Sequence, residues 1–435
     1  MVITYNSLLV DEDEGSTYPT RHWFSRTFGY MDIGSMRNTI FLLLAASLGA
    51  STYTLHHMLD DIGFIWSAIL LLFCLISSLL AFNIYIDAAK NIKHSTSLAE
   101  INIKIVGTKF NKFSLISNCF YLGLCVLSLM LTISKISFIT LSDSIWAIFE
   151  LDEANKSFSY YNRRASLVIA TLMLGFVIPK TADRLLFFSL PSLILYVYML
   201  FVIVFQTGFY VDDLAKKDQN IYNFNEYTVK GIFSNYGLAM SLFNNISCFL
   251  LARNSVTKPS VRRLGKVFAR SNASLLVIYI IAGICGYLSL GKLNTPNYDL
   301  MLLRPALTDS DFLMRFGLLL LMVSQLVGVS FTAFIIKQTL LPLIKEPGNK
   351  ANNTLAVFLC FTPAITIWFF NSVTNYIKLA GAVGASLMVV VFPSIIALNT
   401  GYTKNKAIRI AIHSWLAIGS ICGLISVYEA LLAFV

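Results

Sequence analysis

Long apolar stretches recur along nearly the whole chain, separated by short polar segments. Eleven of them are close to the roughly 20 apolar residues that a helix needs to cross a bilayer core. They run over approximately 37–60, 63–88, 114–141, 165–181, 184–207, 232–252, 269–291, 312–344, 353–372, 376–398 and 407–433. The pattern predicts an all-α integral membrane protein of about eleven transmembrane helices. The eighth stretch is long enough to tilt or to continue into water. Two connections are tight: Asp60-Asp61-Ile62-Gly63, and the segment from Pro179 to Arg184. Residues 1–36 are polar, with an acidic run from Asp11 to Glu14, and read as a solvated tail. They lack the basic start and apolar run of a secretory signal.

Loop charges orient the bundle. One end carries Lys90, Lys93, Lys104, Lys109 and Lys112 after the second span, and Lys404, Lys406 and Arg409 after the tenth. It also carries Arg253, Lys258, Arg262, Arg263, Lys266 and Arg270 after the sixth, with no acid in that loop. The other end carries Asp143, Glu150, Asp152 and Glu153, then Asp212, Asp213, Asp218 and Glu226, then Asp299 and Asp309. Basic loops stay on the cytoplasmic side, so the N-terminus is expected inside and the C-terminus outside.

Composition agrees with this reading. Hydrophobic residues make up 56% of the 435 positions and charged residues 13%, against about 25% charged in a soluble domain. The net charge of +10 follows from the basic loops, and no compact basic domain points to nucleic acid. All seven cysteines lie in apolar runs without a Cys-x-x-Cys, so neither disulfides nor zinc are expected. No P-loop, nucleophile elbow or zinc-protease motif occurs, so the chain is not read as an enzyme and needs no cofactor.

Two spans are interrupted by small and polar residues: Ser47-Leu48-Gly49-Ala50-Ser51-Thr52 in the first, Asn244-Asn245-Ile246-Ser247 in the sixth. Matching breaks five helices apart predict a 5+5 inverted repeat with discontinuous first and sixth helices and a binding site between them. The repeats would cover about 37–207 and 232–398, leaving an extra helix at about 407–433.

With these segments in place, the chain resembles the amino acid/auxin permease family of the amino acid–polyamine–organocation superfamily. Lys258-Pro259-Ser260-Val261-Arg262-Arg263-Leu264 is similar to the family's Pro-Ser-x-x-Arg-Met loop element. The run from Tyr279 through Gly283, Gly286 and Tyr287 to Gly291 resembles its seventh span, with Leu290 in place of Phe. Leu379-Ala380-Gly381-Ala382 through Phe392-Pro393 looks like its tenth span, and Ile178-Pro179 like its Leu-Pro. The chain departs from the family at the first break, where Ser51 stands for the second Gly of Gly-x-Gly and His56 for a Pro.

The resemblance implies gradient-driven transport of an amino acid by alternating access. Helix ends at the breaks would offer N–H groups to a carboxylate and carbonyls to a cation or amino group. Gly49, Ala50, Ser51 and Thr52 are expected on the carboxylate side. Asn244, Asn245 and Ser247 would face them, with Phe243 as an apolar gate. The substrate is expected to be neutral, because no charge falls in either break. The coupling ion would be Na+ or H+. Ser330 and Thr332 lie where related folds hold sodium, and His56 beside His57 suits a proton. Three charges fall in or near spans. Lys337 is expected to be solvated at a span end and Glu429 to be interfacial. Lys135 lies deep enough to need a partner. Two further readings share the fold: a transport-inactive structural subunit with membrane-complex partners, and an amino acid sensor. The membrane itself stays open between plasma membrane, vacuole or lysosome, and mitochondrial inner membrane.

Overall fold

The computed structural model describes residues 35–91, 98–149, 157–179, 183–216, 222–246, 256, 260–294, 299–304, 311–341, 344, 348–370, 372–400 and 406–433. Most of the predicted tail, Ser247 and the rest of the sixth span lie outside these residues. All regular structure among the described residues is helical. Each predicted stretch coincides with a helix or part of one, so the protein is a multi-pass, all-α membrane protein.

The first span is helical over Met36–Ser47, breaks at Leu48-Gly49, and resumes as a 3-10 turn at Ala50–Thr54. Helix then runs on through Leu55–Asn91, which carries the first span into the second. Gly63 makes the corner between them. Its φ of 68° lies in the left-handed region, where a side chain is strained. A Cβ there would also sit 2.8 Å from the Phe224 carbonyl oxygen, to which Phe64 donates its N–H at 3.1 Å.

Several helix starts are capped by the polar residue before the apolar run, as side-chain oxygens satisfy the orphan N–H groups there. Thr228 accepts from Gly231, Asp311 from Met314 and Ser372 from Asn375. The third span extends well beyond its apolar stretch, over Thr108–Phe149. A short helix at Leu98–Ile105 precedes it; its eight residues are too few to cross a bilayer.

Packing sorts the helices into two groups. The first, second, sixth and seventh spans pack together, as do the third, fourth, eighth and ninth. Each group takes the same two positions from both five-helix halves, as a 5+5 repeat requires. Outward faces are apolar: Phe201, Phe205 and Phe209 form an exposed stripe at helical spacing on the fifth span. In water such a stripe would be an aggregation site, whereas here it faces lipid.

The tenth span is closely packed, with most of its residues buried. It begins as α-helix at Val373–Leu379, widens into π-helix over Ala380–Ala385 and Leu387–Val391, and ends as α-helix at Phe392–Asn399. Small residues let neighbouring backbones approach it. A Cβ at Gly381 would fall 1.6 Å from the Gly237 carbonyl oxygen, and one at Gly384 would fall 2.3 Å from the Tyr121 Cβ.

Two charges expected in the spans find partners, and one expectation is corrected. Lys135 pairs with Asp299 at 2.6 Å. Glu429 meets Lys230 at 3.4 Å, with the lysine largely exposed. Lys337 is not solvated: it is fully buried. Its ammonium donates to the carbonyls of Val177, Ile178 and Pro179, where the fourth span ends. Unsatisfied carbonyls at a helix end carry partial negative charge. They hold this cation inside the protein, so it has no need to reach water.

Candidate functional site

The two breaks face each other. Gly49 caps the 3-10 turn in extended conformation, and no side chain caps that turn. Thr52 returns its N–H to the Gly49 carbonyl at 3.1 Å, the first bond of the turn. The N–H groups of Ala50 and Ser51 therefore precede its hydrogen-bond ladder and point out of its positive end. Opposite, the sixth span stops being helical at Leu242.

Hydroxyls meet the carbonyls released there. Tyr121 donates to Ser241 O at 3.2 Å, Tyr279 to Leu242 O at 3.0 Å and Ser78 to Phe243 O at 2.7 Å. The Ser241 and Leu242 carbonyls each keep a second lone pair, whereas Phe243 O also accepts from the Asn245 N–H at 2.9 Å. Tyr279 also reaches the Ser47 carbonyl at 3.3 Å, so one phenol spans both breaks. Ser47 donates to the Asn245 side chain, which donates in turn to Asn272 at 3.1 Å.

Between the breaks lies a cavity. Gly49, Ala50 and Ser51 line one side, and Ser241, Asn244 and Asn245 another. The third span contributes Tyr121, Cys125 and Ser128, the eighth Phe331 and Thr332, the tenth Ile377 and Ala380. None of the residues described around it is charged. Most of its polar side chains are already committed. Ser128 bonds the Cys125 carbonyl, Ser241 the Leu238 carbonyl and Thr332 the Gly328 carbonyl. Asn244 differs: it is 6% exposed, and neither its Nδ2 nor its Oδ1 has a partner among the described residues.

The structure thus brings Gly49, Ala50, Ser51, Asn244, Asn245 and Thr332 to one cavity. Thr52 is buried behind the turn, and its hydroxyl has no partner among the described residues. Phe243 packs edge-on against Tyr279, with ring centres 5.5 Å apart. Ser330 donates to the Leu326 carbonyl at 2.8 Å, one helical turn back. Ser247 lies outside the described residues.

His56 and His57 sit at the acidic-loop end with ring centres 4.1 Å apart. His57 is surrounded by Asp299, Lys378 and Asp61. Asp61 accepts from Asn235 at 2.8 Å and lies 3.7 Å from Lys378, while Asp60 accepts from Tyr287 at 3.2 Å. Asp299 ties this end together. Besides Lys135, it accepts from the N–H groups of Val373 and Thr374 and from the Thr374 hydroxyl. Burial raises the Asp299 carboxyl, but the Lys135 ammonium and these donors outweigh it and hold it below the usual carboxylate range. The next residues, Leu300, Met301 and Leu302, are buried between the seventh span and the 3-10 turn of the first. This closes the cavity's acidic-loop side.

The wall residues of the third span, Tyr121, Cys125 and Ser128, escape sequence reading because isolated hydroxyls and thiols are ordinary in a membrane helix. Asp299 was signalled only indirectly, by the need of Lys135 for an acid.

No family model matches the chain. A Plasmodium falciparum (isolate 3D7) protein named "Putative amino acid transporter AAT1" is 24% identical over 301 residues, 67% of this chain and 46% of that protein. Its namesake from Plasmodium berghei (strain Anka) is 22% identical over 294 residues, 67% of this chain and 45% of the relative. The chain thus spans about half the length of the curated relatives it matches. Among solved structures, MhsT in complex with L-phenylalanine superposes with a TM-score of 0.61 at 15% identity, covering 92% of this chain and all of MhsT. That likeness establishes the fold: an all-α membrane architecture of two five-helix halves with broken first and sixth helices.

Proposed function

We propose that the protein is a secondary transporter of neutral amino acids, of the amino acid/auxin permease kind, with its N-terminus on the cytoplasmic side. The observation that carries this reading is the uncharged cavity between the two helix breaks. It offers the uncapped N–H groups of Ala50 and Ser51 to a carboxylate. Across it, the Ser241 carbonyl retains acceptor capacity for an ammonium. A zwitterion needs both ends, and a neutral side chain needs no further charge. The names of the Plasmodium relatives and the fold shared with MhsT support the same class.

Gradient-dependent uptake of labelled amino acids into proteoliposomes tests it. Flux should saturate, and Ser51→Leu, which fills the cavity beside the 3-10 turn, should reduce it at least about tenfold, since misplacing a bound group costs this much or more. The melting temperature of the variant should stay near that of the parent. Folded protein that moves no amino acid under any gradient would overturn the reading. Membrane subunits co-purifying with such inert protein would establish the structural-subunit alternative.

Proton coupling is the form we favour for the driving force. His56 and His57 lie with their rings in contact at the closed end of the cavity, His57 beside Asp299 and Asp61, and an imidazole exchanges protons near neutral pH. The hydroxyls of Ser330 and Thr332 donate within their own helix; their remaining lone pairs would be the site of any sodium. We expect His56→Gln to lose uptake driven by a pH gradient while retaining exchange of labelled for unlabelled substrate. Unchanged proton-driven uptake in that variant, or uptake that requires sodium, would reject the histidine role.

A further inference from the structure

Most polar groups around the cavity have partners before any substrate arrives. Tyr121, Ser128, Ser241 and Thr332 all donate to backbone carbonyls, and Asn245 is held between Ser47 and Asn272. Among the buried polar side chains of the lining, Asn244 is the exception. Its carboxamide is more than nine-tenths buried, lines the cavity, and has both its donor and its acceptor unpaired among the described residues. Leaving such a group unsatisfied costs more than a hydrogen bond gains, and buried polar atoms are ordinarily paired.

The α-carboxylate and α-ammonium have their own partners in the helix breaks. What remains for Asn244 is the substrate side chain. Among uncharged side chains, the terminal carboxamide alone offers a donor and an acceptor in one plane, at the spacing Asn244 presents. Two such groups form a reciprocal pair with two bonds of about 2.9 Å. The pairing works with either orientation of the Asn244 amide. A hydroxyl supplies one partner strongly and leaves the other strained. An aliphatic side chain satisfies neither, and a carboxylate sets an oxygen against Asn244 Oδ1.

We infer that Asn244 is a specificity-determining residue that reads a side-chain carboxamide, so that the preferred substrates are glutamine and asparagine. The inference rests on the transport reading above and narrows it.

The test compares uptake of labelled glutamine and asparagine with leucine, methionine and glutamate, in the parent protein and in Asn244→Leu. The parent should favour the carboxamides by about 100-fold, since a site built to hydrogen-bond a substrate group rejects analogues that lack it. Asn244→Leu should lose that preference and accept leucine or methionine at least as well as glutamine. Asn244→Ala, the variant to use should the leucine variant not fold, must lose it too. Leucine or methionine moved as well as glutamine by the parent would overturn the inference while the transport reading stands. So would an Asn244 variant that slows every substrate equally. Should no amino acid be moved, thermal stabilisation by the same five compounds decides. Stabilisation by glutamine or asparagine alone, abolished in the variants, supports the subsite without transport. No stabilisation by any of the five rejects both readings.

Discussion

Gly381→Val is expected to yield no folded protein. A Cβ at this position would lie 1.6 Å from the Gly237 carbonyl oxygen and 2.5 Å from its carbon. Both are backbone atoms of the sixth span, which cannot turn aside as a side chain would. From the other side, a Cβ at Gly237 would fall 2.2 Å from the Lys378 carbonyl oxygen. The sixth and tenth spans therefore touch backbone to backbone, and any side chain must push them apart. Ordinary overpacking costs about 1–3 kcal/mol because rotamers give way; here there are none to give. Gly175→Ala is the control, because nothing lies within 4 Å of its Cβ position. It should be neutral or mildly stabilising, since alanine favours helix over glycine by up to about 1 kcal/mol. Size-exclusion profiles and thermal melts in detergent read both. A Gly381→Val protein that is monodisperse and melts like the parent would refute the backbone contact.

Asp299→Asn is expected to destabilise on the order of 3 kcal/mol, the scale on which a buried pair is broken from one side. The side chains of Lys135 and Asp299 are 14% and 18% exposed, so an ammonium left behind has little water to turn to. The asparagine also weakens the cap on the tenth span, where Val373 and Thr374 donate to Asp299. Lys135→Met should cost less, since those donors still serve the carboxylate. The double variant should recover part of the Asp299→Asn loss.

The pair also sets a pH window. The folded carboxyl is held below its ordinary value, so its contribution is present above the unfolded carboxylate pKa of about 3.9. It is lost as pH falls through the lower folded value. The melting temperature should show no pH dependence from this group between about pH 5 and 7, where its contribution is full, and should decline below about pH 4. Asp299→Asn should lack that part of the decline. Equal melts for parent and Asp299→Asn at neutral pH would show that the pair adds nothing.

Much of this architecture was legible in advance, because a bilayer imposes one solution on the backbone. The apolar stretches marked the helices, and the small residues Gly49 and Ala50, with Asn244 and Asn245, marked the breaks. What the sequence does not carry is partnership across distance. The hydroxyls of Tyr121, Tyr279 and Ser78 cap the sixth-span carbonyls over separations of 120, 37 and 165 residues. Nothing local in those segments says so. Lys337 shows the opposite failure. Position near a span end argued for water, but the carbonyls of Val177, Ile178 and Pro179 supply its acceptors inside the protein. Side-chain length told where the ammonium could go and not what waited there. The π-helical widening of the tenth span was equally hidden, since its apolar residues read as ordinary helix.

Two ion pairs lie at the closed end: Lys135 with Asp299, and Lys378 with Asp61. Moving one elementary charge through the membrane field is worth about 2.3 kcal/mol per 100 mV, whereas an ion pair that moves as a unit carries no net charge. Moving these two pairs intact would thus do almost no electrical work. Under the transport proposed above, they would add nothing to the current of a cycle in a voltage-clamped membrane.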